Sequence, residues 1–201
     1  MRAASACAWL YLPAGALVSL AVNNKRFCAE GETKRILHMD EFMTMAIAEA
    51  RQGLAEGGIP IGSVLVKDGK VVARGHNKRV QENNPILHGE MDCLNNAGRM
   101  GSYRNTVIYS TLMPCFMCAG TIVQFKIPKV IVGESQTFSG ARAFLESQGV
   151  EVVDLNLPEC VRMMEDFIRE KPALWNEDIM EEQIVHSPQF FISPWSIVDG
   201  P

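Results

Sequence analysis

The chain has 201 residues and a mass of 22.2 kDa, room for one domain with terminal appendages and too little for two large domains. Apolar residues make up 47% and charged residues 21%, which excludes a disordered chain and a polytopic membrane protein. The net charge of −4 is unevenly spread: residues 1–38 hold five basic and two acidic side chains (+3), while residues 39–182 hold 14 basic against 20 acidic (−6). So acidic a body has no global attraction for phosphate backbones, and no nucleic-acid partner is expected.

In chain order, residues 1–38 form an N-terminal extension. Ala3 to Val22 is apolar and uncharged behind Arg2, and Pro13 and Gly15 break it. It reads as a secretory leader, a mitochondrial presequence or an upstream segment ahead of a true start at Met39. The expected compartment is the cytoplasm and also the nucleus, with organellar or secretory targeting left open by this extension. Residues 39–182 are the folded domain, with no membrane partner expected. Residues 183–201, which include Pro188, Pro194 and Pro201, are read as a loose C-terminal extension.

Asp40 caps a predicted helix whose apolar residues Phe42, Met43, Ala46, Ile47, Ala50 and Leu54 recur at helical spacing before Gly57 and Gly58 stop it. Ile61 to Val66 and Val71 to Gly75 are β-branched runs joined through Asp68-Gly69, a hairpin signal. Then follow a helix over His88 to Ala97, a strand over Thr106 to Thr111, a helix over Cys115 to Phe125 and a strand over Val130 to Gly133. A helix over Ala141 to Ser147, a strand over Val150 to Leu155 and a helix over Pro158 to Glu170 complete the pattern. Strands alternating with helices after an opening hairpin predict an α/β layered domain with a mixed sheet.

Of six cysteines only Cys115 and Cys118 are closely spaced, which speaks for metal or redox chemistry rather than a disulfide framework. At i and i+3 in a first helical turn both sulfurs reach one ion, and a helix N-terminus favours the thiolate that a metal needs. His88 can add a nitrogen. Three ligands leave a tetrahedral position for water, and Glu90, two residues on, can carry its proton. A structural site would need a fourth ligand, for which His38, His76, Cys93 and Cys160 are the candidates. Cys93 lies more than a helical turn beyond His88 and reads as core, and Cys160 reads as a small buried hydrophobe. A His-x-Glu half joined to a Pro-Cys-x-x-Cys half is an established signature of zinc nucleobase deaminases.

Residues from about Asp40 to Glu181 resemble the fungal-type cytosine deaminases of the cytidine deaminase superfamily. The resemblance rests on His88-Gly89-Glu90, Thr111-Leu112-Met113-Pro114-Cys115 with Cys118, Arg74-Gly75-His76-Asn77, Val132-Gly133-Glu134 with Phe138, and Trp175-Asn176-Glu177-Asp178. It implies a three-layer α/β/α sandwich around a mixed five-stranded sheet, a homodimer, and one Zn2+ per subunit held by His88, Cys115 and Cys118 with Glu90 as proton shuttle. It further implies that Asn77, the Gly89 N–H and Asp178 bind the polar edge of a small pyrimidine base, between His88, Phe138 and Trp175. The reaction implied is hydrolysis of cytosine to uracil and ammonia in pyrimidine salvage. Read without the resemblance, Asn77 is a loop stabiliser, Phe138 and Trp175 are core aromatics and Asp178 is a solvated acid. Asn176 and Met113 depart from the pattern of that family. Adenosine deamination on transfer RNA, deamination of guanine or nucleosides, and a non-catalytic zinc-stabilised partner subunit are the alternatives.

Overall fold

A computed structural model describes residues 41–181, so the expectations for residues 1–38 and 183–201 and the Asp40 cap lie outside the described residues. Helix α1 (residues 41–55) buries Phe42, Met43, Ala46, Ile47 and Ala50 of the predicted apolar stripe, while Leu54, in its last turn, is exposed. Strands β1 (Gly62–Lys67) and β2 (Lys70–His76) pair antiparallel across Asp68 and Gly69, whose φ values are 50° and 73°. Two central residues at positive φ are the mark of a type I′ turn, whose twist matches that of the strands it joins. Next come α2 (Gly89–Ala97), β3 (Thr106–Ser110), α3 (Phe116–Phe125), β4 (Lys129–Val132), α4 (Arg142–Ser147), β5 (Glu151–Asp154), α5 (Pro158–Glu170) and α6 (Pro172–Asp178).

The strands lie in the order β2-β1-β3-β4-β5, with β1 antiparallel to both neighbours and β3, β4 and β5 parallel. Successive strand residues point to opposite faces. Leu65, Ile108, Val130 and Val132 therefore pack with Cys93, Leu94, Ala119, Ile122 and Leu145 from α2, α3 and α4. Val64, Val66, Tyr109 and Ile131 pack on the other side with α1 and with Cys160 of α5. Both faces are covered, which gives the three-layer α/β/α sandwich with a mixed five-stranded sheet that the resemblance implies. β2 approaches α2 so closely at Gly75 that a Cβ there would lie 2.4 Å from the Cys93 nitrogen, so a larger residue would push the two apart.

A third apolar cluster gathers Ile59, Ile61, Leu112, Met164, Phe167 and Trp175, with Phe138 and Ile179 against it. It lies past the ends of β3 and β4, the side on which open α/β sheets place their ligands. Helix α6 joins it and is the element that periodicity did not predict: seven residues behind Pro172 are too short to show a helical stripe.

Candidate active site

Two helix starts meet at this end of the sheet. His88 is the N-cap of α2 (φ −66°, ψ 166°) and Cys115 the N-cap of α3 (φ −70°, ψ 174°), so each precedes its helix, and Cys118 alone of the three ligands is helical. The sequence reading had placed His88 and Cys115 within their helices. The N-cap position sets each side chain beside unpaired backbone N–H groups. The ligand atoms of His88, Cys115 and Cys118 all lie within 4.8 Å of one another, with His88 Nδ1 3.6 Å from Cys115 Sγ. Tetrahedral zinc with bonds of about 2.0–2.3 Å spans ligand edges of roughly 3.5 Å, so this donor set fits one zinc ion per subunit. Among the described residues no fourth side chain joins it. Cys93 and Cys160 are buried elsewhere, and burial pushes both thiols up to about 12. His76 is held between Glu49 and Glu56, 3.0 Å and 2.9 Å away.

The two ligand sulfurs differ in acidity. The hydrogen bond with the Cys118 side chain brings Cys115 down to about 4 against the opposing effect of burial, with His88 helping. The same bond, then burial, pushes Cys118 up. Burial acts to lower the pKa of His88, but its hydrogen bond to Cys115 and the Asp178 charge together outweigh that and raise it. His88 Nε2 lies 3.6 Å from Asp178 Oδ1, so a carboxylate behind the ligand orients its ring. Glu90 is buried in the first turn of α2, and its Oε1 accepts a 2.9 Å hydrogen bond from the Ser110 hydroxyl. Burial, then the charge on Cys115, raises its pKa, which suits a carboxylate that must take up and release a proton near neutrality.

A small cavity of about 10 Å3 adjoins the cluster. His88, Glu90 and Cys115 form its metal side, Ile61, Leu112 and Met113 its walls, and Phe138, Trp175, Asp178 and Ile179 its cover. Phe138 and Trp175 meet edge to face, centroids 5.7 Å apart at 90°. Asn77 stands one layer back: its Nδ2 donates to Asp178 Oδ1 at 3.0 Å, and its Oδ1 accepts the Arg79 N–H at 3.1 Å. Gly89 backs onto β1, where a Cβ would come within 2.9 Å of the Ile61 carbonyl oxygen. Of the two departures, Met113 lines the cavity and Asn176 is half-buried outside it. Sequence reasoning passed over Ser110, Arg79, Ile61, Leu112 and Ile179. A serine closing an otherwise apolar strand was the one signal for Ser110, and none marked the others.

Residues 38–134 match the sequence model of the cytidine and deoxycytidylate deaminase zinc-binding region. The chain is 46% identical over 142 residues to a cytosine deaminase of Candida albicans, spanning 69% of this chain and 95% of that protein. It is 38% identical over 141 residues to a tRNA-specific adenosine deaminase of Streptococcus pyogenes, spanning 64% of this chain and 89% of that one. A solved chain from a study of A-to-I editing by tRNA:A34 deaminases superposes with a TM-score of 0.56 at 27% identity, covering 62% of this chain and 99% of that chain.

These relatives overturn the expectation that nucleic acid is no partner. That expectation rested on net charge, which counts every acid equally. A total of −6 says nothing of where the basic side chains gather, and it is the local potential of a groove that steers a polyanion. Among the described residues no helix is long and apolar enough to cross a bilayer. The chain belongs to the cytidine-deaminase-like superfamily, as a zinc-dependent hydrolase that deaminates a nucleobase or nucleotide.

Proposed function

We propose that the chain converts the free base cytosine to uracil and ammonia. The observation that carries this reading is the cover that Phe138, Trp175 and Asp178 place over the metal side, which leaves only about 10 Å3 of free space beside His88, Glu90 and Cys115. Pockets for drug-sized ligands run roughly 300–1,000 Å3, so the cover must yield even to a single ring, and yields least to a base without a sugar. The identity to a cytosine deaminase supports the same choice.

Zinc, when bound, supplies Lewis acidity and a nucleophile usable at neutral pH. Glu90, steadied by Ser110, would take a proton from the attacking water and pass it to ring N3 as the water oxygen bonds C4, then move that oxygen's remaining proton to the amino group, so that the C4–N bond breaks and ammonia leaves. Asp178 accepts from the base. Asn77, one layer back, acts by holding Asp178 in place, and the Gly89 N–H at the start of α2 is the further donor of the polar edge. A buried amide discriminates well here, because a wrong donor and acceptor pattern leaves polar groups unpaired. The His88 ring, Phe138 and Trp175 hold the base in place. We also propose a homodimer that closes the apolar groove of about 500 Å3 bordered by Met91, Leu94, Met100, Tyr103 and Phe125, which sedimentation of the zinc-loaded protein tests.

A second reading is adenosine deamination on transfer RNA, favoured by the relatives specific for that substrate. A groove of about 450 Å3 runs outside the cavity from Arg79 and Pro85 past Phe116 to Met180, with room for a nucleotide flanking a flipped base. Ammonia release by the zinc-loaded protein with cytosine, cytidine, guanine and transfer RNA separates the readings. We expect cytosine to exceed cytidine in kcat/KM by at least about a hundredfold, since a closed cavity rejects the sugar. Turnover of transfer RNA with none of cytosine would overturn the proposal in favour of the second reading.

A further inference from the structure

Where β2 ends, four consecutive side chains each meet a carboxylate from another part of the fold. His76 is held by Glu49 and Glu56, Asn77 by Asp178, Lys78 by Asp92 at 3.1 Å, and Arg79 by Asp178 and Glu177. Arg79 is the one that ties this segment most firmly to α6. Its Nη1 lies 3.2 Å from Asp178 Oδ1, its Nη2 lies 3.4 Å from Glu177 Oε1, and its Nε donates to the Pro85 carbonyl at 3.2 Å. Its side chain is only 8% exposed and that of Asp178 only 3%, so their pair is far less screened than a surface salt bridge, whereas the pair with the exposed Glu177 is an ordinary one. The guanidinium fork is planar, so contacts at three nitrogens fix its orientation together with that of the carboxylates it holds.

Helix α6 is thus attached along two sides. Trp175 and Ile179 seat it in the apolar cluster, and Asp178 and Glu177 fasten it to Arg79 and Asn77. Asp178 directs Oδ1 at Asn77, Arg79 and His88, which leaves Oδ2 free for a ligand in the cavity. We propose that Arg79 is a positioning residue that latches α6 over the cavity and thereby excludes substrates in which the base carries a ribose. This rests on the free-base reading above. Loss of the guanidinium leaves Asp178 without its cation and frees the polar side of α6. The cover then lifts, and the sugar gains room in the groove outside.

The test uses the zinc-loaded protein with Arg79→Ala and Arg79→Lys, and Arg51→Ala as a control that removes the exposed pair with Glu159. Amide hydrogen exchange in residues 172–178 of Arg79→Ala should run about ten- to a hundredfold faster, while that in α5 stays as in the unaltered protein. The KM for cytosine should rise by about tenfold or more, and the preference for cytosine over cytidine should narrow by a similar factor. Arg79→Lys keeps the charge without the fork and should fall between; Arg51→Ala should change neither readout. Faster exchange across all helices with the preference intact would reduce Arg79 to a general stabiliser and overturn the proposal. Unchanged exchange in α6 with zinc still bound would overturn it too. If the unaltered protein ignores cytosine, the free-base reading fails and the ribose-exclusion claim with it, whereas the exchange data alone decide whether the latch exists.

Discussion

The metal side of the cavity is assembled from two helix starts bedded on the central strands, whereas its cover is a loop at Phe138 and a seven-residue helix from the far end of the domain. Backbone geometry fixes the first: both N-cap ligands are extended, and Cys118 follows from the helical turn. The second is fixed by side chains meeting across 99 and 101 positions of sequence, Arg79 and Asn77 on Asp178, and by the seat of Trp175. Apart from the Asp178 carboxylate that orients the His88 ring, the metal side is held by its own backbone, and the cover can shift to set what enters. Damage to the two regions should look different.

The largest effects should fall on the metal side and separate metal from proton transfer. Glu90→Gln keeps shape and the Ser110 contact but carries no proton, so turnover should fall by about 10²–10⁴ while zinc content stays at one per subunit. Cys118→Ala should lose zinc and activity together. Metal analysis beside single-turnover assay reads both. Normal turnover in zinc-loaded Glu90→Gln would remove Glu90 from the mechanism.

The cover should respond in the opposite pattern. Trp175 is buried, and Trp175→Ala empties much of the cluster under α6, at a cost of about 3–5 kcal/mol in urea unfolding. With Trp175 gone Phe138 also loses its edge-to-face partner, so KM should rise more than kcat falls. Zinc content should not change. Loss of zinc in Trp175→Ala would mean that the two regions are one cooperative unit.

This division also explains what could be read from the sequence. His88-x-Glu90 and Cys115-x-x-Cys118 are local spacings, and local spacing is what a helix start converts directly into geometry. The hairpin was visible for the same reason, through Asp68-Gly69. Trp175 and Asp178 were found through resemblance to a family, since periodicity gave α6 no signal. Arg79 was passed over because nothing nearby in sequence marks a partner 99 positions away. The error about nucleic acid has a related origin: a total charge discards position, and position sets the local potential that a partner meets.

The smallest predicted effect concerns thiol chemistry and compares the site with the core. In zinc-free protein Cys115 sits at about 4, held there chiefly by the Cys118 side chain, whereas burial puts Cys93 and Cys160 at about 12. At pH 6 an ordinary thiol near 8.5 is well under about 1% ionised, so Cys115 is the thiolate among the four described cysteines. Brief iodoacetamide treatment after chelation, read by peptide mapping, should label Cys115 and spare Cys93 and Cys160. Raising the pH toward 9 should add little at Cys115, already ionised, and nothing at the two core thiols until the fold opens. Restored zinc should protect Cys115, because its sulfur is then a ligand. Labelling of Cys93 before Cys115 would mean that the α2 side of the core opens more readily than the metal side of the site, which would reverse the order of rigidity drawn between the site and its surroundings.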